Sequence, residues 1–141
     1  MQSFTLLQAK SNLTFFPNSY NTDIFSVNAT ASNVMSNSTP RALKTLNVNC
    51  TGLTSALSYG ALTGAASSGN YFTNLSSIIL TGLKYAFNIN GARLDGPALN
   101  ALYTSLGTAA GAQTITVTNN HGTVDDDPSI ATAKGWTVTG S

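Results

Sequence analysis

The side chains able to do chemistry are few, and most lie near the end of the sequence. His121 is the only imidazole, in the run Asn119-Asn120-His121-Gly122, and Asp125-Asp126-Asp127 follows closely. A Ser-His-Asp triad would have to use this histidine, one of these acids and one of many serines. No Gly-x-Ser-x-Gly elbow exists to hold such a nucleophile, so His121 reads as an exposed turn residue. The three aspartates offer oxygen ligands of the kind calcium prefers. The alternate-residue spacing of a calcium loop is absent, however, and capping of a following helix accounts for Asp127. There is no glutamate, and Asp23 and Asp95 stand far off in sequence, so no obvious carboxylate pair serves glycan hydrolysis. Cys50 reads as a buried thiol, since a reactive one needs a positive neighbour. Gly60, Gly64 and Gly69 form no phosphate-cradling motif, and Trp136 reads as core rather than as a sugar-stacking platform. The expectation is no catalytic residue, no cofactor and no metal.

Composition points the same way. Of 141 residues, 8% are charged, where average globular chains carry roughly 25%, and the net charge is +1. Twenty Thr, 16 Ser and 15 Asn make up more than a third of the chain. No basic excess exists to neutralise phosphates, which argues against a nucleic-acid partner. One cysteine excludes an internal disulfide. No apolar run approaches the roughly 20 residues that span a bilayer, so no membrane partner is expected. The start, Met1-Gln2-Ser3-Phe4-Thr5, lacks the basic and apolar regions of a secretory signal, so the expectation is a chain made in the cytoplasm without one. Five Asn-x-Ser/Thr sequons, at Asn12, Asn28, Asn37, Asn49 and Asn74, read as products of an Asn/Ser/Thr-rich composition. Low charge leaves little repulsion between copies and favours self-association.

The elements that must position these residues fall into two regions. Residues 1–41 carry short apolar clusters between Asn/Ser/Thr/Pro turns and read as an irregular β-rich N-terminal arm or small attachment segment. Its candidate partner-binding side chains are Phe4, Leu7, Phe15, Phe16, Ile24 and Phe25. Residues 42–141 read as the folded domain. Leu43 to Val48 followed by Leu53, Leu75 to Leu80, and Leu83 to Ile89 followed by Leu94 share a spacing. It describes a short strand with inward side chains, then a leucine tucking beneath it. Stacked units of this kind bury a core that none buries alone. Asp95-Gly96-Pro97 opens a helix with Leu99, Leu102 and Leu106 on one face, and Gly107 is placed to supply its C′ position. Thr114 to Thr118 alternates as a strand. Asp127-Pro128 starts a short helix over Ser129–Lys134, with the acids at its positive end and Lys134 at its negative end. Trp136-Thr137-Val138 closes as a last strand. Strand, helix, strand, helix and strand with short connections favour parallel pairing.

The run from Leu94 through Ala98-Leu99-Asn100-Ala101-Leu102-Tyr103-Thr104-Ser105-Leu106-Gly107, then Thr114-Ile115-Thr116-Val117, then Ser129-Ile130-Ala131-Thr132-Ala133-Lys134-Gly135-Trp136-Thr137-Val138, resembles a terminal module of leucine-rich-repeat-like proteins. Such modules recur in tailed-bacteriophage structural proteins and some bacterial surface proteins. The resemblance covers residues 43–141 and is strongest after Leu83. It implies an α/β fold: a short leucine-rich-repeat-like open solenoid with parallel strands and two short helices. The implied function is non-enzymatic, that of a phage virion structural protein. The short chain suits a capsid decoration or cement protein that grips the head shell through its N-terminal region. Its partners would be the major capsid protein or another virion protein, and itself as a homotrimer, on the virion surface. The alternative is a host-recognition module of a tail or head fibre whose hydroxyls and amides meet surface glycans.

Overall fold

A computed structural model describes residues 3–9, 24–29, 44–52 and 75–141, with backbone alone for the first two stretches. Strands β1 (Ser3–Ala9), β2 (Ile24–Ala29), β3 (Thr45–Asn49) and β4 (Ser77–Thr81) form a parallel sheet in chain order. The alternation of β3 and β4 explains their facing. Leu46 and Val48, and Ile78 and Leu80, are buried, while Asn49 and Thr81 are exposed at the far end. That is the period of two of a sheet with one face on the core. Phe4, Phe25, Leu46 and Ile78 form one row across the strands and Leu6, Val27, Val48 and Leu80 another, and the β1–β2 register shifts between Leu6 and Ala9. Two segments of the region read as an arm therefore hydrogen-bond into the same sheet as the domain.

A second parallel sheet contains β5 (Phe87–Asn88), β6 (Gln113–Thr116) and β7 (Trp136–Thr139). Helix α1 (Gly96–Ser105) lies between β5 and β6 in sequence, and α2 (Ser129–Thr132) between β6 and β7. This is the alternating parallel arrangement the sequence suggests. The ladder extends past the strand ends: Ile89 N donates to Thr116 O at 2.8 Å, Gly91 N to Thr118 O at 3.0 Å, Gly122 N to Leu94 O at 2.9 Å and Val117 N to Thr139 O at 2.9 Å. Each return of the chain thus rests on the previous one. Leu46, Ile78, Leu83, Phe87, Leu94, Leu99, Leu102, Ile115 and Trp136 belong to one buried cluster running between the sheets and α1.

Three expectations change in detail. The strand expected over Leu83–Ile89 is confined to Phe87–Asn88. Gly82, at φ +71°, turns the chain out of β4, and Ala86 N donates to the Gln113 side chain at 2.7 Å instead of to a backbone, so pairing begins one residue later. Gly107 is not a left-handed C′ residue: α1 ends at Leu106 in extended backbone (φ −62°, ψ 144°). The glycine is required for closeness, because a Cβ there would lie 2.9 Å from Gly82 O. The second helix is a single turn, Ser129–Thr132, rather than reaching Lys134, and Gly135 at φ +84° ends it. Leu53 lies outside the described residues.

Candidate functional site

The residues with chemical potential converge on α1, and the sequence shows why that helix sits where it does. Asp95 Oδ1 accepts from Ala98 N at 2.9 Å, capping the first turn, and Pro97 stands where no N–H is needed. Leu99, Leu102 and Tyr103 then bury one face. The other end closes the edge of the first sheet. Leu80 N donates to Ser105 Oγ at 3.0 Å, Gly82 N donates to Ser105 O at 2.8 Å, and Ser105 Oγ donates back to Leu102 O at 2.7 Å. One serine thus meets two backbone donors of β4 and its following turn, in the way a helix covers a sheet edge.

The three acids divide among separate tasks. Asp125 rests against Gly96, where a Cβ would lie 2.7 Å from its Oδ1. Asp126 Oδ2 accepts from Tyr103 OH at 2.5 Å. Asp127 Oδ1 accepts from Ser129 N at 3.1 Å and from Ser129 Oγ at 2.5 Å, so it does serve the start of α2, while its own N–H donates to Asn100 Oδ1 at 2.7 Å. Burial, with the Asp126 bond second, pushes the Tyr103 hydroxyl well above the usual tyrosine range. Among the described residues, no group of three or more His, Cys, Asp and Glu is placed to hold a metal ion. His121 is exposed on its turn.

Lys134 departs most from its expected role. Its ammonium does not serve α2. Nζ donates to Tyr103 O at 2.9 Å, Thr104 O at 2.7 Å and Leu106 O at 2.9 Å, the carbonyls at the C-terminus of α1. Three donors meet three carbonyls at the negative pole of the longer helix, and Tyr103 O also accepts from Leu106 N at 3.3 Å. The single turn of α2 has little dipole to offer, and its C-terminal turn carries the lysine across to α1.

Two further polar residues escape sequence reasoning. Asn120, buried within the turn, accepts from Leu94 N at 3.2 Å and donates to Ile89 O at 2.9 Å and Val117 O at 2.7 Å. It ties the ends of β5 and β6 to the segment that leads into α1. Its neighbour Asn119, at φ +61°, takes the left-handed turn position that Asn tolerates. The asparagine pair directly after an alternating strand was the available signal. Gln113 likewise bridges Ala86 N and Ala110 O.

Cys50 is buried, donates weakly to Val48 O at 3.7 Å, and burial pushes its thiol up to about 12. Trp136 is core, and its Nε1 donates to Gly107 O at 2.9 Å. Of the candidate partner-binding residues, Phe4 and Leu7 lie in β1 and Ile24 and Phe25 in β2. Phe15 and Phe16 lie outside the described residues.

With those groups engaged in structural bonds, the outward faces of the sheets remain as surface. Thr45 and Ser77, Asn47 and Ile79, and Asn49 and Thr81 pair across the first sheet. Thr114 and Thr137, and Asn88, Thr116 and Thr139, align across the second. These columns are neutral and consist almost wholly of hydroxyls and amides, suited to docking through hydrogen bonds rather than through charge. No helix of the described residues is long and apolar enough to cross a membrane. No family model, no curated protein and no solved structure matches this chain.

Proposed function

We propose that this chain is a non-enzymatic structural protein of a tailed-phage virion, a capsid decoration or cement subunit with a short leucine-rich-repeat-like solenoid as its body. That body takes in residues 42–141 together with β1 and β2, which continue its first sheet, and the N-terminal region carrying those two strands grips the head shell or a neighbouring copy in a homotrimer. The supporting observation is the hydrogen-bonded stacking of successive turns of the chain beneath uncharged Thr/Asn/Ser columns. A rigid neutral platform suits attachment to a repetitive protein lattice, where apolar burial and backbone pairing supply the affinity and charge supplies little. The resemblance of Leu94–Val138 to terminal modules of leucine-rich-repeat-like proteins, which recur in tailed-phage structural proteins and some bacterial surface proteins, suggests the setting. Quantitative mass spectrometry of particles produced from the genome that encodes this chain tests the reading. Hundreds of copies per particle are expected, and absence from the particle overturns it.

The columns also favour a second reading, a glycan-binding module on a fibre. Thr139 Oγ1 donates to Thr116 Oγ1 at 3.1 Å, so adjacent hydroxyls already form a hydrogen-bonding row. A handful of copies per particle, with binding of the purified chain to host envelope, would select this alternative over the coat role.

A further inference from the structure

Asn90-Gly91 is the single Asn-Gly step in the chain. Such a step is intrinsically reactive, because the glycine nitrogen following an asparagine carries no Cβ to shield it from the asparagine side chain. Here the step occupies a turn with Gly91 at φ +75°, and no atom lies within 4 Å of where a Cβ would stand, so the glycine is not there to let another segment approach. Two hydrogen bonds from the next return of the chain hold the reacting groups. Gly91 N donates to Thr118 O at 3.0 Å, and Asn119 Nδ2 donates to Asn90 Oδ1 at 3.1 Å. A third, from Asn90 N to Asn88 Oδ1 at 2.9 Å, fixes the turn itself.

We propose that Asn90-Gly91 is a site of spontaneous deamidation, kept closed in the folded chain by the Thr118 and Asn119 contacts. In the reaction, Gly91 N loses its proton to solvent base and bonds to Asn90 Cγ. The Cγ–Nδ2 bond breaks and the side-chain nitrogen leaves as ammonia, taking up a proton from solvent. The five-membered imide then adds water at either carbonyl and opens to aspartate or isoaspartate. The first step needs the Gly91 N–H released from Thr118 O and the Asn90 amide turned away from Asn119, so local opening must precede it. The product matters to the surface. Either outcome puts a carboxylate beside the neutral Asn88, Thr116 and Thr139 column. Isoaspartate also lengthens the backbone by one methylene within the Ile89–Gly91 ladder, which slips its register against Thr116–Thr118.

The full-length chain, folded in buffer and unfolded in urea at the same mildly alkaline pH, is followed by peptide mass spectrometry with chromatography that separates aspartate from isoaspartate. Conversion at Asn90 is expected in both states, about 30-fold slower in the folded one, as two guarding hydrogen bonds imply. N119G keeps the left-handed turn position and removes the amide. It should speed the folded reaction about fivefold and leave the unfolded rate unchanged, with circular dichroism confirming the fold. Equal rates in the two states, an unchanged folded rate in N119G, or an unreactive Asn90 in urea would each overturn the proposal.

Discussion

The two flanks of the stack are joined by different means. Along β5, β6 and β7 and their extensions, successive returns meet mainly through backbone N–H and C=O groups, with the Gln113 and Asn120 side chains as added bridges. Along the other flank the strand of the first sheet gives way to α1 and then α2, and helices cannot continue a ladder. Named side chains replace it: Ser105 onto β4, Asn100 onto Asp127 N, Tyr103 onto Asp126, and Lys134 onto the end of α1. The ladder flank therefore leans less on particular side chains than the helical flank does. Proline marks the change, since Asp95-Gly96-Pro97 and Asp127-Pro128 remove donors a strand would need and pre-set a helical start.

Trp136 spans both flanks, so its removal has the largest expected effect. The ring is buried at the head of β7, and its N–H reaches Gly107 O just past α1. Trp136→Ala should cost about 4 kcal/mol in urea unfolding, the range of buried aromatic truncations. A loss under about 1 kcal/mol would mean that the last return unfolds separately from the rest.

Lys134→Met isolates the helical flank. The methionine keeps most of the apolar stem, but three carbonyls lose a charged donor. The expected loss is about 2 kcal/mol, less than a fully buried charge would cause, because Thr104 is exposed and water partly replaces the ammonium. Hydrogen exchange should show it concentrated in α1. A uniform change across the molecule would break the distinction between flanks.

These contrasts explain what the sequence allowed one to read. Alternating Leu46/Val48 and Ile78/Leu80, the Asp-Gly-Pro start of α1 and the parallel order of the later strands follow from local patterns that one face and one period dictate. What stayed hidden depends on which turn lies above which. Lys134 looks like the natural cap of its own helix until the fold sets α1 beside it. Asn120 looks like ordinary turn chemistry until two strand ends and the segment before α1 converge there. Gly107 shows the same limit, because its need for closeness to Gly82 is a property of stacking, and a single element cannot reveal it.

Alkaline pH probes the core beneath the first sheet. Burial raises the Cys50 thiol from 9.0 to about 12, so above pH 9 the unfolded chain releases a proton that the folded chain retains. The unfolded state then binds fewer protons, and stability falls as pH rises. By one unit above the unfolded value the loss is about 1.4 kcal/mol from this group. Cys50→Ala should flatten the decline between pH 9 and about 12 relative to its own neutral-pH stability. Tyr103 adds a decline of the same sign above the usual tyrosine range of about 10, which Tyr103→Phe would remove. An unaltered slope in C50A would mean that the thiol is not shielded in the core.

The smallest effect belongs to the ladder flank. Thr137 is exposed on β7, and its backbone, not its hydroxyl, pairs with β6. Thr137→Ala keeps that pairing and gives up only some strand preference, so unfolding should shift by less than about 0.5 kcal/mol. If the proposed coat role holds and the outward threonines serve only as its docking face, the same change should weaken attachment to the particle while stability barely moves. A Thr137→Ala loss as large as that of Lys134→Met would show that outward hydroxyls help to hold the second sheet together. The ladder flank would then be as side-chain-dependent as the helical one.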